Sequence, residues 1–169
     1  NDNYPFENGA HIRDAFVQTL SQKAGLLLDE RTWRPCLVYL NGAYWGVYEM
    51  REKYDDHNFT EEYYNQSQFY GDNQIGLNFL KTWGATWTEY GTTEAQPEWD
   101  AILNFIQTND MSEPANFNFV DSLYNWRSLV DYFVINSFIV SQDWLNWNTA
   151  WWRGRNPDET KKKWRYTLW

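Results

Sequence analysis

Two periodicities divide the chain, one near 3.6 residues and one of 2, and the points where they switch predict the elements. From Ala10 onward, Ile12, Ala15, Phe16, Leu20 and Ala24 recur at helical spacing. An amphipathic helix is expected there, stopping at Gly25. Arg13 and Asp14 fall on its other face and read as solvent-exposed charge. Leu26 to Asp29 fits either a short strand or the helix tail. The runs Arg34–Leu40 and Ala43–Arg51 flank Asn41-Gly42. This is a β-hairpin signature, because both turn residues accept a positive φ. In the second run Tyr44, Gly46, Tyr48 and Met50 are expected on one face, and Trp45, Val47, Glu49 and Arg51 on the other. A polar stretch from Glu52 leaves the hairpin. Thr60 to Tyr64 is expected to be a short helix capped by Asn58 or Thr60.

Residues 66–96 carry Gly71, Gly76, Gly84 and Gly91 among aromatics and threonines, with no clear period. They are expected to be an irregular insertion with one short helix near Leu77 to Thr82. Pro97 to Thr108 is a helix with Pro97 in its first turn and a stripe of Trp99, Ile102, Leu103 and Ile106. Asp110 to Asn118 is expected to be a loop, and Phe119 to Tyr124 a short helix. Trp126 to Val140 is apolar around nearly its whole circumference, which predicts a helix buried on most faces. Thr149 to Arg153 then forms a strand, 154–163 a turn, and Trp164 to Trp169 a returning strand. The alternation of helices and hairpins predicts an α+β fold.

Composition adds aromatic density: 12 Trp, 12 Tyr and 10 Phe in 169 residues. Such rings fill a tight core or stack on sugars or bases. The net charge of −9 argues against nucleic acid, whose phosphates need a basic footprint. Lys161-Lys162-Lys163 reads as a solvated hairpin tip. Cys36 is the only cysteine, so neither an internal disulfide nor a cysteine zinc site is encoded. The two histidines, His11 and His57, lie in different segments and do not suggest a metal pair. No run of about 20 apolar residues would span a membrane. No signal-peptide pattern is present. The chain begins at Asn1 and ends at Trp169 within an apolar run, so both ends read as cut. It is expected to be a fragment of a longer protein.

The candidate chemistry lies in Ser141-Gln142-Asp143-Trp144-Leu145-Asn146-Trp147-Asn148. An Asp five positions before an Asn is the spacing of the protein-kinase catalytic loop. The spacing alone is weak, because Asp and Asn also cap and turn. The His-Arg that usually precedes the catalytic Asp is replaced by Ser141-Gln142. A glycine-rich phosphate loop and a Val-Ala-Ile-Lys strand are both absent from the chain.

Four segments resemble the CotH (spore coat protein H) kinase family, a group of atypical, secreted or surface-associated kinases. The first is His11-Ile12-Arg13-Asp14-Ala15-Phe16, and the most specific is the hairpin from Val38 through Asn41-Gly42 to Tyr54-Asp55. The others are Leu129 to Phe133 leading to Asp143-Trp144 and Asn148, and Trp164 to Trp169. The resemblance implies a partial protein-kinase-like fold. Residues 1–56 would be part of the small lobe and 57–169 a mostly helical large lobe with a β-hairpin. It implies Asp143 as catalytic residue, Asn148 as metal ligand, and Glu52 at the adenine-binding connection between lobes. It also implies ATP and Mg as cofactors and a protein hydroxyl as phosphoacceptor. A phosphate-binding lysine would precede residue 1 and a metal-binding Asp would follow Trp169, so the fragment by itself is expected to be inactive. Two other readings stay open. One is surface adhesion or carbohydrate binding on the same scaffold, with Phe69, Tyr70, Phe79, Trp83, Trp87 and Tyr90 either lining a sugar site or pinning their segment to the body. The other is a structural homologue that binds no nucleotide.

Overall fold

The computed structural model describes residues 12–53, 57–145 and 147–169. The expected polar lead Asn1–Gly9, the helix start at Ala10, the hairpin exit at Tyr54–Asp56 and Asn146 lie outside them. Helix α1 (Arg13–Ala24) stops at Gly25, whose N–H returns to the carbonyls of the last turn. The helix buries Ala15, Gln18 and Ser21 rather than the whole apolar stripe, and Ile12 and Phe16 are more than half exposed. Polar groups win this face because each is satisfied. Gln18 donates to the Leu168 carbonyl (2.9 Å) and accepts from Arg31 N (2.8 Å), and the Ser21 hydroxyl donates to Glu30.

Strands β1 (Trp33–Leu40) and β2 (Ala43–Arg51) form the expected hairpin, with Asn41 and Gly42 at φ 49° and 83°. A bulge where Val38 pairs with Gly46 and Tyr39 with Tyr44 breaks the expected strict alternation of faces. Trp33 Nε1 on Thr19 Oγ1 (2.8 Å) and an Arg51–Asp14 ion pair tie the hairpin to α1. Helix α2 spans His57–Tyr64, so Asn58 and Thr60 lie within it and do not cap it. Thr60 is buried, its hydroxyl 2.6 Å from the Gln66 carbonyl.

The expectation for 66–96 is corrected most. Strands β3 (Phe69–Tyr70) and β4 (Gln74–Ile75) form a small ladder, followed by β5 (Leu77–Trp83) and β6 (Ala85–Tyr90). Where a short helix was expected, β5 is a central strand of an antiparallel sheet in the order β6-β5-β7-β8, with β7 at Thr149–Gly154 and β8 at Arg165–Thr167. Residues 77–81 are all buried. A strand covered on both faces loses its alternation, which conceals it in the sequence. Asn78 and Lys81 interrupt the apolar run, yet both are paired. Asn78 bonds Glu98 and Thr92 N, each at 3.1 Å, and Lys81 sits 3.3 Å from Glu89.

Helices α3 (Ala95–Thr108), α4 (Pro114–Leu123) and α5 (Trp126–Phe138) follow. Pro114 is in the first turn of α4, where its missing N–H costs nothing, rather than in a loop. The helix α5 buries Ser128, Tyr132, Ile135 and Asn136. The expectation that it is buried on most faces fails, because Val130, Phe133, Val134 and Phe138 face outward, Phe138 at 72 % exposure. One core cluster joins Leu80, Trp151 and Trp164 of the sheet region to Trp99, Ile102 and Val120 of α3 and α4. A second joins α5 to Leu28 and Leu168, and a third, around Phe79 and Trp152, lies against Tyr64.

Asp29, in the ambiguous stretch after α1, is 1 % exposed and ties these parts together. Its carboxylate pairs with Arg165 Nε (2.8 Å) and accepts from Trp152 Nε1 (2.8 Å) and Tyr64 OH (2.5 Å). Burial and the Asp29 charge push the Tyr64 hydroxyl well above its ordinary range, so it stays a donor. Beside it, burial pushes the Glu30 carboxyl from 4.5 up to about 7, and Asp29 adds to the rise. The Ser21 hydroxyl and Arg165 oppose it in part. Below about pH 4.5 both folded and unfolded chains hold this proton. Between there and about 7 only the folded chain keeps it, so stability falls as pH rises. Above about 7 the loss is complete. The urea midpoint is therefore expected to drop across that window, and Glu30→Gln, with no proton to lose, should flatten the drop. An unchanged pH slope in Glu30→Gln would assign the effect to another group.

Candidate functional site

The segment between α5 and β7 is shaped by its ends. Ser141 N bonds the Asn136 carbonyl (2.9 Å) just past the end of α5. Val140, Leu145 and Asn148 have φ of 53°, 71° and 53°. Asn tolerates that region, but Val and Leu adopt it at a cost of about 1–2 kcal/mol, so outside contacts must hold them. Trp144 packs against Tyr132 and Phe133 of α5, with ring centroids 6.1 and 5.2 Å away. The Thr149 hydroxyl lies 3.2 Å from the Leu145 carbonyl and 3.3 Å from that of Trp147. Tyr132 OH lies 3.2 Å from that same hydroxyl and 3.3 Å from the Asn148 carbonyl. Burial raises the Tyr132 hydroxyl above its usual range and keeps it neutral, only partly opposed by Thr149.

These contacts bring Asp143 and Asn148 together. Asn148 Nδ2 donates to the Asp143 backbone carbonyl at 3.4 Å. Both residues line a cleft of about 450 Å³. The Asp143 side chain is exposed. Asp14, Val17 and Gln18 of α1, Arg31, and Leu168 and Trp169 just after β8 also line it. The volume is that of a small-molecule site.

Glu52 is elsewhere. Its carboxylate accepts from Thr32 N (3.1 Å), Thr32 Oγ1 (3.2 Å) and Tyr63 OH (3.4 Å), and it does not line the cleft. Sequence reasoning missed Arg31 as a lining residue and took Asp14 for plain surface charge. Asp14 both faces the cleft and pairs with Arg51. Its place in the His11–Phe16 motif was the available signal, whereas nothing in the sequence marks Arg31. Among the described residues no cluster of three or more His, Cys, Asp or Glu could hold a metal by itself. None of the described helices is long and apolar enough to cross a membrane.

The helices and small sheets define a mixed helix-and-strand protein whose Asp…Asn loop borders a ligand-sized cleft. The chain belongs to the CotH kinase family: the family model, described as CotH kinase protein, matches residues 3–169. No curated protein and no solved structure matches it.

Proposed function

We propose that the chain carries the catalytic loop of a CotH-type protein kinase, which transfers the γ-phosphoryl group of ATP to a protein Ser or Thr hydroxyl. The observation that carries this reading is the meeting of Asp143 and Asn148 on one cleft, in a loop held in costly backbone conformations. In the reaction Asp143 orients the acceptor hydroxyl and takes its proton. The hydroxyl oxygen bonds to the γ-phosphorus as the bond from that phosphorus to the β–γ bridging oxygen breaks, and ADP leaves with the electron pair. An exposed carboxylate suits an acceptor that arrives from solvent. Asn148 turns its amide nitrogen toward the Asp143 carbonyl, and its oxygen is the ligand atom in this scheme.

Magnesium takes one or two protein oxygens and completes its shell with phosphates and waters, and the hard carboxamide oxygen of Asn148 would be such a donor. When bound, it neutralises charge on the phosphates. On this reading Glu52 belongs to the connection between a small lobe (1–56) and a large lobe (57–169), where an adenine would lie, although it does not line the Asp143 cleft. Its carboxylate is engaged with Thr32 and Tyr63, so it shapes that connection. A secreted or surface location belongs to the same proposal, by family resemblance.

A second reading, carbohydrate or surface binding, draws on the exposed indoles of Trp45 and Trp83. The intact protein, incubated with γ-labelled ATP and magnesium, is expected to label itself or an added acceptor protein on Ser or Thr. Absence of label across acceptors, together with retention on immobilised saccharide, would replace the kinase reading with the second.

A further inference from the structure

We infer that the tip of the β5–β6 hairpin is a clamp on the loop bearing Asp143 and Asn148, and that Trp83 and Gly84 are positioning residues acting through Trp147; only the kinetic part of this inference rests on the kinase reading. Trp147 directly precedes Asn148. Its indole meets that of Trp83 edge to face, with centroids 5.3 Å apart and an interplanar angle of 87°. It also lies against Gly84. A Cβ there would come within 3.1 Å of the Trp147 ring, and Gly84 holds φ +79°, so a side chain would be strained and would press on the indole.

The tip is built to be stiff. Trp83 pairs with Ala85 around Gly84, and the Thr82 and Thr86 hydroxyls bond at 2.8 Å. Behind it, β5 is paired on both edges. Trp83 itself is 62 % exposed and belongs to no buried cluster among the described residues, so its large apolar ring is not there for the core. The loop is thus held from two sides. Trp144 fastens it to α5, and Trp147 fastens its Asn148 end to the sheet. Leu145 and Asn148, both at positive φ, lie in the part that the second contact restrains. The same sheet carries β7, which begins at Thr149, so the clamp sets the loop against the strand it runs into.

The test uses Trp83→Ala and Trp83→Phe in the intact protein. An exposed indole can be removed without loss of folding, and the thermal midpoint reports this. An aromatic pair of this kind limits opening by roughly three- to tenfold. Amide exchange of the loop peptide after α5 is expected to quicken by about that factor in Trp83→Ala, with β5 and β7 amides unchanged, and Trp83→Phe should restore most of the protection. In the kinase assay, kcat should fall by a similar factor of about three to ten while KM for ATP stays within about twofold, because orientation rather than binding is lost. Unchanged loop exchange in Trp83→Ala overturns the clamp. Faster exchange with unaltered kcat overturns the positioning role. Absence of turnover in the intact protein defeats the kinase reading, and exchange alone then decides the clamp.

Discussion

Replacing Asp29 by alanine is expected to destabilise the protein by about 3–5 kcal/mol, the usual result of removing one partner from a buried ion pair. The carboxylate is 1 % exposed and serves Arg165, Trp152 and Tyr64 together. Without it the Arg165 guanidinium, also buried, loses its paired carboxylate, and two ring donors lose their acceptor. For a domain of this size the midpoint should fall by roughly 6–20 °C. The double variant Asp29→Ala/Arg165→Met should recover more than half of that, since removing both charges removes the desolvation penalty. A fall of less than about 2 °C in the single variant would show that the network contributes little.

On the proposed kinase reading, Asp143→Asn in the intact protein is expected to lower phosphoryl transfer by at least about 10²-fold, the low end for loss of a general base. The thermal midpoint should shift by no more than about 2 °C, because the side chain is exposed and such substitutions rarely exceed about 0.5 kcal/mol. The two measurements separate chemistry from folding. Full activity in Asp143→Asn would remove this residue from the catalytic role, and a large fall in the midpoint would make any loss of activity uninformative.

Legibility followed the range of the interactions. The Asn41-Gly42 hairpin, the stop at Gly25 and the helix over most of Ala95–Thr108 depend on backbone preferences within a few residues, so they could be read directly. The strand Leu77–Trp83 could not. Its pattern is set by burial on both faces, and its polar residues are tolerated only because Glu89, Glu98 and Thr92 meet them. The outward face of α5 misled for a related reason: apolar composition predicts burial only where something covers it.

The site divides in the same way. The spacing of Asp143 and Asn148 and their position between an apolar helix and a strand pair were visible in the sequence. Their shared cleft, the Arg31 and Asp14 wall, the engagement of Glu52 with Thr32 and the grip of Trp83 on Trp147 were not. By itself the sequence determined the turns, most of the helices, the family and the candidate loop, because these rest on local geometry and residue identity. Only the tertiary structure decided which polar groups are buried. Trp152 reaches Asp29 across 123 positions, and no local pattern encodes a partner that far away.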